Sequence, residues 1–344
     1  MSTDVAANLT VGISNRIPTL KEYHTILTNI VDDEEYDITT NHRAINLDYY
    51  IDMSEWRMVR PLNKTDDEMA DVYVVADENG ENNVIAKYSE KNLIRHELAI
   101  GYAINCLNMR EFCRTYGVIE AKELGIDKPG NAICLERVVG TPFSRFIEME
   151  EVPDKEIVAV VCRILVALQR AYELIGFTHY DLHLNNIMIC ETDYGEIVST
   201  RKDNYKFKIY YLPVIIDYEF STIKIKNKTI GISGIELKGI FNTSNPSSDI
   251  HMLLCDCIRV RPSLTKYLRY GIQSILNIDS SLSNLEFRKM LVSCPHALYD
   301  NVERKFSQIE YWPFRLTTNY EDAAVSILDN CDIEFVKRTS ELFD

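Results

Sequence analysis

Thr178-His179-Tyr180-Asp181-Leu182-His183-Leu184-Asn185-Asn186-Ile187-Met188 is the stretch on which the reading of this chain turns. It is a polar segment set between two apolar ones. Before it, Ile157, Val161, Ile164, Leu168, Ala171 and Ile175 recur at helical spacing. They predict a buried helix, with Asp154 as its cap and Gly176 at its end. After it, Asn186-Ile187-Met188-Ile189 and Pro213-Val214-Ile215-Ile216 read as short strands. The second of these runs straight into Asp217-Tyr218-Glu219. A carboxylate in that position costs on the order of several kcal/mol if it is buried without a partner. Asp217 therefore either reaches solvent or holds a cation. Asp and Asn oxygens suit Mg2+, which usually keeps substrate phosphates in its shell.

Upstream, Asp71–Ala76 and Val84–Tyr88 are β-branched runs flanking a turn-rich segment, Asp77-Glu78-Asn79-Gly80-Glu81-Asn82-Asn83. They read as a hairpin. Trp56–Arg60 adds a strand before it. A helix is expected from about Glu90 to Leu107, with Leu93, Ile100, Ile104 and Leu107 on its apolar stripe. Glu97 lies on the same stripe, where an unpaired acid is disfavoured. Thr115–Ile119 and Ala132–Glu136 are two further strands, so 56–136 reads β-β-β-α-β-β. Residues 1–50 are polar and weakly patterned and form an N-terminal extension. The tail beyond about 246 is mostly helical. Neither an internal repeat nor a low-complexity tract is present.

Composition narrows the function. The 344 residues carry 37 Lys+Arg against 52 Asp+Glu, a net charge of −15. That balance argues against generic binding to a phosphate backbone, which needs clustered cations, so no nucleic-acid partner is expected. A 46% hydrophobic and 26% charged composition is globular. The nine cysteines contain no CxxC pair, which points to thiols in a reducing, intracellular compartment. The longest near-apolar run, Ile157–Leu168, is interrupted by Arg163 and is too short for a bilayer core of roughly 30 Å. The N-terminus shows no secretory pattern. A soluble cytoplasmic protein without a membrane partner is expected.

His179-x-Asp181-Leu182 with Asn186, followed by an apolar strand ending in Asp217, resembles the catalytic loop and metal-binding strand of the protein-kinase-like superfamily. Val84-Ile85-Ala86-Lys87 resembles that family's lysine strand, and Glu97 stands where the lysine's ion-pair partner is found. The resemblance covers roughly residues 56–260. It implies an α+β, bilobal protein-kinase-like fold, with a small β-rich lobe bearing one helix and a larger helical lobe. The divisions would be 1–50 (extension), 51–138 (N-lobe) and 139–344 (C-lobe). It also implies ATP and Mg2+ as cofactors. In that scheme Lys87, held by Glu97, pairs with the α/β-phosphates, and Asp181 accepts or orients the attacking hydroxyl. Asn186 and Asp217 hold the metal. Leu135-Glu136-Arg137-Val138 is the hinge, with Glu136 and Val138 facing adenine. Asp249 braces the catalytic loop.

Four departures shape the expectation. The glycine positions of a nucleotide-covering loop would be Thr65, Asp67 and Ala70, in an acidic segment without glycine. Tyr180 replaces the arginine that usually precedes the catalytic Asp. His183 stands where serine/threonine kinases carry a phosphate-contacting lysine. Asp217-Tyr218-Glu219 replaces D-F-G, and no A-P-E follows. The D-x-E pattern resembles choline, ethanolamine and aminoglycoside kinases, in which Glu219 could join the metal site or bind a cationic substrate. The run from His179 to Met188, Asp217–Ser221 and the insertion from Glu191 to Tyr211 resemble divergent protein kinases of large DNA viruses. The leading expectation is an ATP- and Mg2+-dependent serine/threonine kinase acting on a protein substrate. A small-molecule kinase and a pseudokinase scaffold stay open beside it.

Overall fold

The computed structural model describes residues 57–61, 71–76, 83–88, 93–201, 205–225, 228–231, 246–275, 281–293 and 320–331. The extension over 1–50 and the acidic segment 65–70 lie outside them. Among the described residues the architecture is mixed α+β, and the chain divides into two compact units.

In the first unit, strand alternation decides where each side chain goes. β3 (Asn83–Tyr88) buries Val84, Ala86 and Tyr88 in a core shared with Val75, Ile119 and Cys134. Lys87 is therefore sent to the opposite face. β3 pairs antiparallel with β2 (Asp71–Ala76) and with β5 (Asn131–Glu136), which places Lys87 opposite Val72 and Ile133. β1 (Arg57–Pro61) and β4 (Thr115–Glu120) complete a five-stranded sheet of order β1-β2-β3-β5-β4. Helix α1 (Leu93–Asn105) supplies the one helix expected here. Its end is locked to β4 by a reciprocal pair: Asn105 Nδ2 donates to Thr115 O (2.6 Å), and Thr115 N donates to Asn105 Oδ1 (3.1 Å). Gly101 permits this approach, because a Cβ there would collide with the Thr115 hydroxyl. Among the described residues this unit runs up to Val138 and takes back Asp217–Ser221, residue 225 and residues 228–231.

The second unit is built on α2 (Asp154–Ile175). Ile157, Val160, Val161, Ile164, Leu165 and Leu168 are fully buried along it. Burying each such side chain contributes roughly 1.5–3 kcal/mol. Gly176 ends the helix in the left-handed region (φ 62°), as the sequence predicts. Asp154 is not the cap. Pro153 holds that position, and Asp154 is the first helical residue, its carboxylate 2.8 Å from Arg261 Nε. Arg163, the charge inside the apolar run, is buried and lies 2.9 Å from Glu196 Oε2. After the helix and the polar loop, β7 (Ile187–Ser199) and β8 (Lys206–Ile215) form a long antiparallel hairpin, with β6 (Thr141–Pro142) paired to β7. The two short strands of the sequence reading are its inner ends, where Ile187 pairs with Ile215 and Met188 with Val214. The insertion between them extends the hairpin. Helices α3 (Pro246–Val260), α4 (Thr265–Ile275), α5 (Asn284–Ser293) and α6 (Tyr320–Leu328) complete the unit. α6 packs against α2 and α4.

Candidate active site

Each unit assembles its own set of polar groups. In the first, Lys87 lies among three carboxylates. Its Nζ is 2.7 Å from Asp217 Oδ1, 3.0 Å from Glu219 Oε2 and 3.2 Å from Glu97 Oε2. Lys87, Glu97 and Glu219 are buried, and the Asp217 side chain keeps 34% of its exposure. The Asp217-Tyr218-Glu219 turn makes this possible. Asp217 takes φ 65°, a left-handed conformation that Asp tolerates better than most residues. Tyr218 goes the other way, fully buried, and its hydroxyl donates to Cys113 O at 2.9 Å. The two carboxylates on either side of it thereby meet at Lys87.

Burial alone would lower the Lys87 pKa, but the three carboxylates outweigh it and hold the ammonium charged. Glu97 is pushed up to about 7, first by burial and then by the neighbouring acids, with Lys87 opposing. One cation among three acids leaves the cluster short of positive charge, so a retained proton or a divalent cation would complete it. The ligand oxygens of Glu97, Asp217 and Glu219 lie within 4.8 Å of one another. Glu219 Oε1 is buried without a hydrogen-bond partner. An oxygen-rich set with one orphaned carboxylate oxygen suits a hard divalent cation such as Mg2+.

The second unit holds the polar loop. Asn186, buried, donates through Nδ2 to Asp181 O (2.9 Å) and to Asp181 Oδ2 (3.0 Å). Its amide nitrogen is thus spent on Asp181, and Oδ1 is the atom left to ligate a metal. His183 Nε2 is 3.6 Å from Asp181 Oδ2, and its Nδ1 accepts from Asn185 N (3.2 Å). His179 is wholly buried and structural. Its Nδ1 accepts from Asp181 N (3.3 Å), so the proton sits on Nε2, which faces Ile216 O at 3.0 Å. Asp249, also fully buried, accepts from the backbone N–H groups of His179 (2.8 Å, Oδ2) and Tyr180 (2.7 Å, Oδ1).

The structure therefore brings Lys87, Glu97 and Asp217 together in the first unit, and Asp181 and Asn186 together in the second. Glu136 ends β5 with its N–H bonded to Arg114 O (2.8 Å) and its carbonyl approached by the Cys113 thiol (3.5 Å). Val138 lies just past the strand, partly exposed. Two contacts were not legible from the sequence. The D-x-E pattern showed Glu219 but not that it shares Lys87 with Glu97. Tyr320, whose hydroxyl reaches Asp249, carries no local signal at all.

Two comparisons bear on this arrangement. The family model described as poxvirus serine/threonine protein kinase matches residues 154–278, the segment that holds Asp181, Asn186, Asp217 and Asp249. A probable kinase of Invertebrate iridescent virus 3 is 33% identical over 153 residues. That match covers 44% of this chain and 29% of the viral protein's length. The resemblance to divergent viral protein kinases, expected from the motifs, is carried by both matches.

Proposed function

We propose that this protein is an ATP- and Mg2+-dependent kinase that moves the γ-phosphoryl group of ATP to serine or threonine hydroxyls of a protein substrate. The observation that carries the reading is the Lys87 cluster. Residues from a strand, a helix and a distant turn converge on one ammonium, with Asp217 at 2.7 Å. In this reading the two units are the small and large lobes of a protein-kinase-like fold. Lys87, fixed by Glu97, neutralises the α/β-phosphates. Asp217 and Glu219 would hold Mg2+ through carboxylate oxygens, and Asn186 would offer Oδ1 as a metal ligand. When bound, the metal neutralises charge that develops on the phosphates. Asp181 orients the acceptor hydroxyl. As that oxygen forms its bond to the γ-phosphorus, the bond to the ADP oxygen breaks and the hydroxyl proton passes to Asp181. Positioning and charge stabilisation are the work such chemistry asks of a protein. Val138 would offer its backbone groups to adenine, whereas the Glu136 N–H is already committed to Arg114 O at 2.8 Å.

Glu219 is engaged with Lys87 at 3.0 Å, which supports a place in the metal set over the capture of a cationic substrate. Among the described residues no helix is long and apolar enough to cross a membrane. The acidic balance speaks against a nucleic-acid partner, and cysteines without a CxxC pair suit a reducing compartment, which supports a cytoplasmic protein acting on a protein partner.

The test is transfer of radiolabelled γ-phosphate by purified protein to itself or to a generic protein acceptor, with Asp217→Asn as control. Metal-dependent labelling that drops about 100-fold or more in the variant is expected. Labelling of choline or an aminoglycoside without protein labelling would move the substrate class. No transfer, together with no thermal shift at millimolar ATP and Mg2+, would leave a scaffold instead.

A further inference from the structure

The catalytic loop is held from the far end of the chain. Tyr320 opens α6 and is fully buried. Its N–H donates to Gln169 Oε1 on α2 at 3.0 Å, which fixes the residue in place. Its hydroxyl donates to Asp249 Oδ2 at 2.6 Å. That carboxylate already receives the amides of His179 and Tyr180, so three donors meet on one buried acid.

The geometry of the loop depends on this grip. In an extended chain consecutive N–H groups point to opposite sides, so two of them aimed at one carboxylate require a turn in the chain. Tyr180 accordingly adopts φ 61°. For a bulky side chain that conformation is strained, and it persists only where the surroundings impose it. The next residue is Asp181, whose own N–H is held by His179 Nδ1. The direction of Asp181 thus follows from the turn at Tyr180, and that turn follows from Asp249.

Asp249 accepts the two amides and the phenol most strongly as a carboxylate, because bonds to an ionised acceptor are shorter and stronger. Burial pushes its pKa up to about 6, and Asp181 adds to the rise. The Tyr320 hydroxyl and the amides of His179 and Tyr180 oppose it, with Tyr320 first among them. Thr178 in turn hydrogen-bonds to the Tyr320 side chain. Protonation of Asp249 would leave fewer and weaker acceptor sites for these three donors and loosen the grip.

We propose that Tyr320 is a positioning residue for phosphoryl transfer: its hydroxyl completes the three-donor grip on Asp249 that sets the direction of Asp181. The assignment rests on the reading of Asp181 as the group that handles the acceptor hydroxyl.

The test is Tyr320→Phe in the full chain, which removes one oxygen and keeps the ring in the core. Turnover should fall about 10- to 100-fold, with the KM for ATP within about twofold, because orientation is lost and nucleotide binding is not. The acid limb of kcat, expected near pH 6 in the parent, should move toward neutral pH, since the donor that favours ionised Asp249 is gone. Hydrogen exchange in the peptide spanning 178–183 should accelerate about tenfold or more, while α2 and α3 peptides keep their protection. Parental turnover and parental exchange in 178–183 would overturn the proposal. So would faster exchange spread evenly over α2, α3 and the loop, which is mere loss of stability. If the parent protein transfers no phosphate, the kinase reading fails, and the exchange measurement still decides whether Tyr320 holds the loop.

Discussion

The Lys87 cluster and the Asp249 grip hold their functional side chains by different physical means. In the first unit one buried ammonium is shared by Glu97, Asp217 and Glu219, with Nζ–O distances from 2.7 to 3.2 Å. In the second, a single buried carboxylate collects two backbone amides and a phenol at 2.6 to 2.8 Å. The first arrangement carries surplus negative charge and a partly exposed Asp217, so its balance of charge would respond to an added cation. The second is electrically modest and its donors are mostly main chain, so it behaves as a fixed support.

The sharpest way to separate the two regions is Asp181→Ala. We expect turnover to fall about 10²- to 10⁴-fold with nucleotide binding kept, since the lost group handles the proton and not the phosphates. Single-turnover kinetics beside a nucleotide titration would show it, and unchanged turnover would remove Asp181 from its role. Lys87→Met attacks the other region. It strips the shared cation from three acids and should cost about 3–5 kcal/mol, as for a broken buried pair, along with ATP affinity or turnover. Denaturant melts read the stability term. Adding Glu97→Gln to that variant should restore part of it, because one uncompensated carboxylate disappears, and a further loss would mean that charge is not what holds the cluster. The smallest expected effect is that of Tyr218→Phe, which leaves the Asp217–Glu219 turn without its tie to Cys113 O. A loss of about 1 kcal/mol is expected from that single hydrogen bond. A drop in metal-dependent activity larger than the loss of stability would show that the tie also aims the two acids.

Much of the scaffold was legible because its cues are local. β3 could be read from the Val84–Tyr88 run, and α1 from the stripe of Ile100 and Ile104, on which Glu97 stood out as an acid in an apolar place. Its burial against Lys87 accounts for the anomaly. The Asp217 strand announced itself by ending Val214-Ile215-Ile216 with a charge. The hairpin was only half visible. Cys190–Ser199 mixes Glu, Thr, Asp and Gly, so the extension of β7 rests on cross-strand pairing such as Ile197 with Lys208 rather than on alternation. The cap of α2 was misplaced by one residue, since Asp154 has a partner in Arg261 that no sequence window contains. Tyr320 lay beyond reach for the same reason, being 71 residues from the carboxylate it serves.

Residue order alone settled most of the described elements and the chemical types at the candidate site positions: a strand lysine, a helix acid, an Asp and an Asn in one loop, an acid closing a strand. Those follow from periodicity and side-chain chemistry, which act between near neighbours. Tertiary structure decided that Glu219 shares the ammonium of Lys87 and that a phenol from the last described helix steadies Asp249. Such contacts arise only when packing brings distant groups together, and the burial that packing imposes is also what gives their charges and hydrogen bonds their strength.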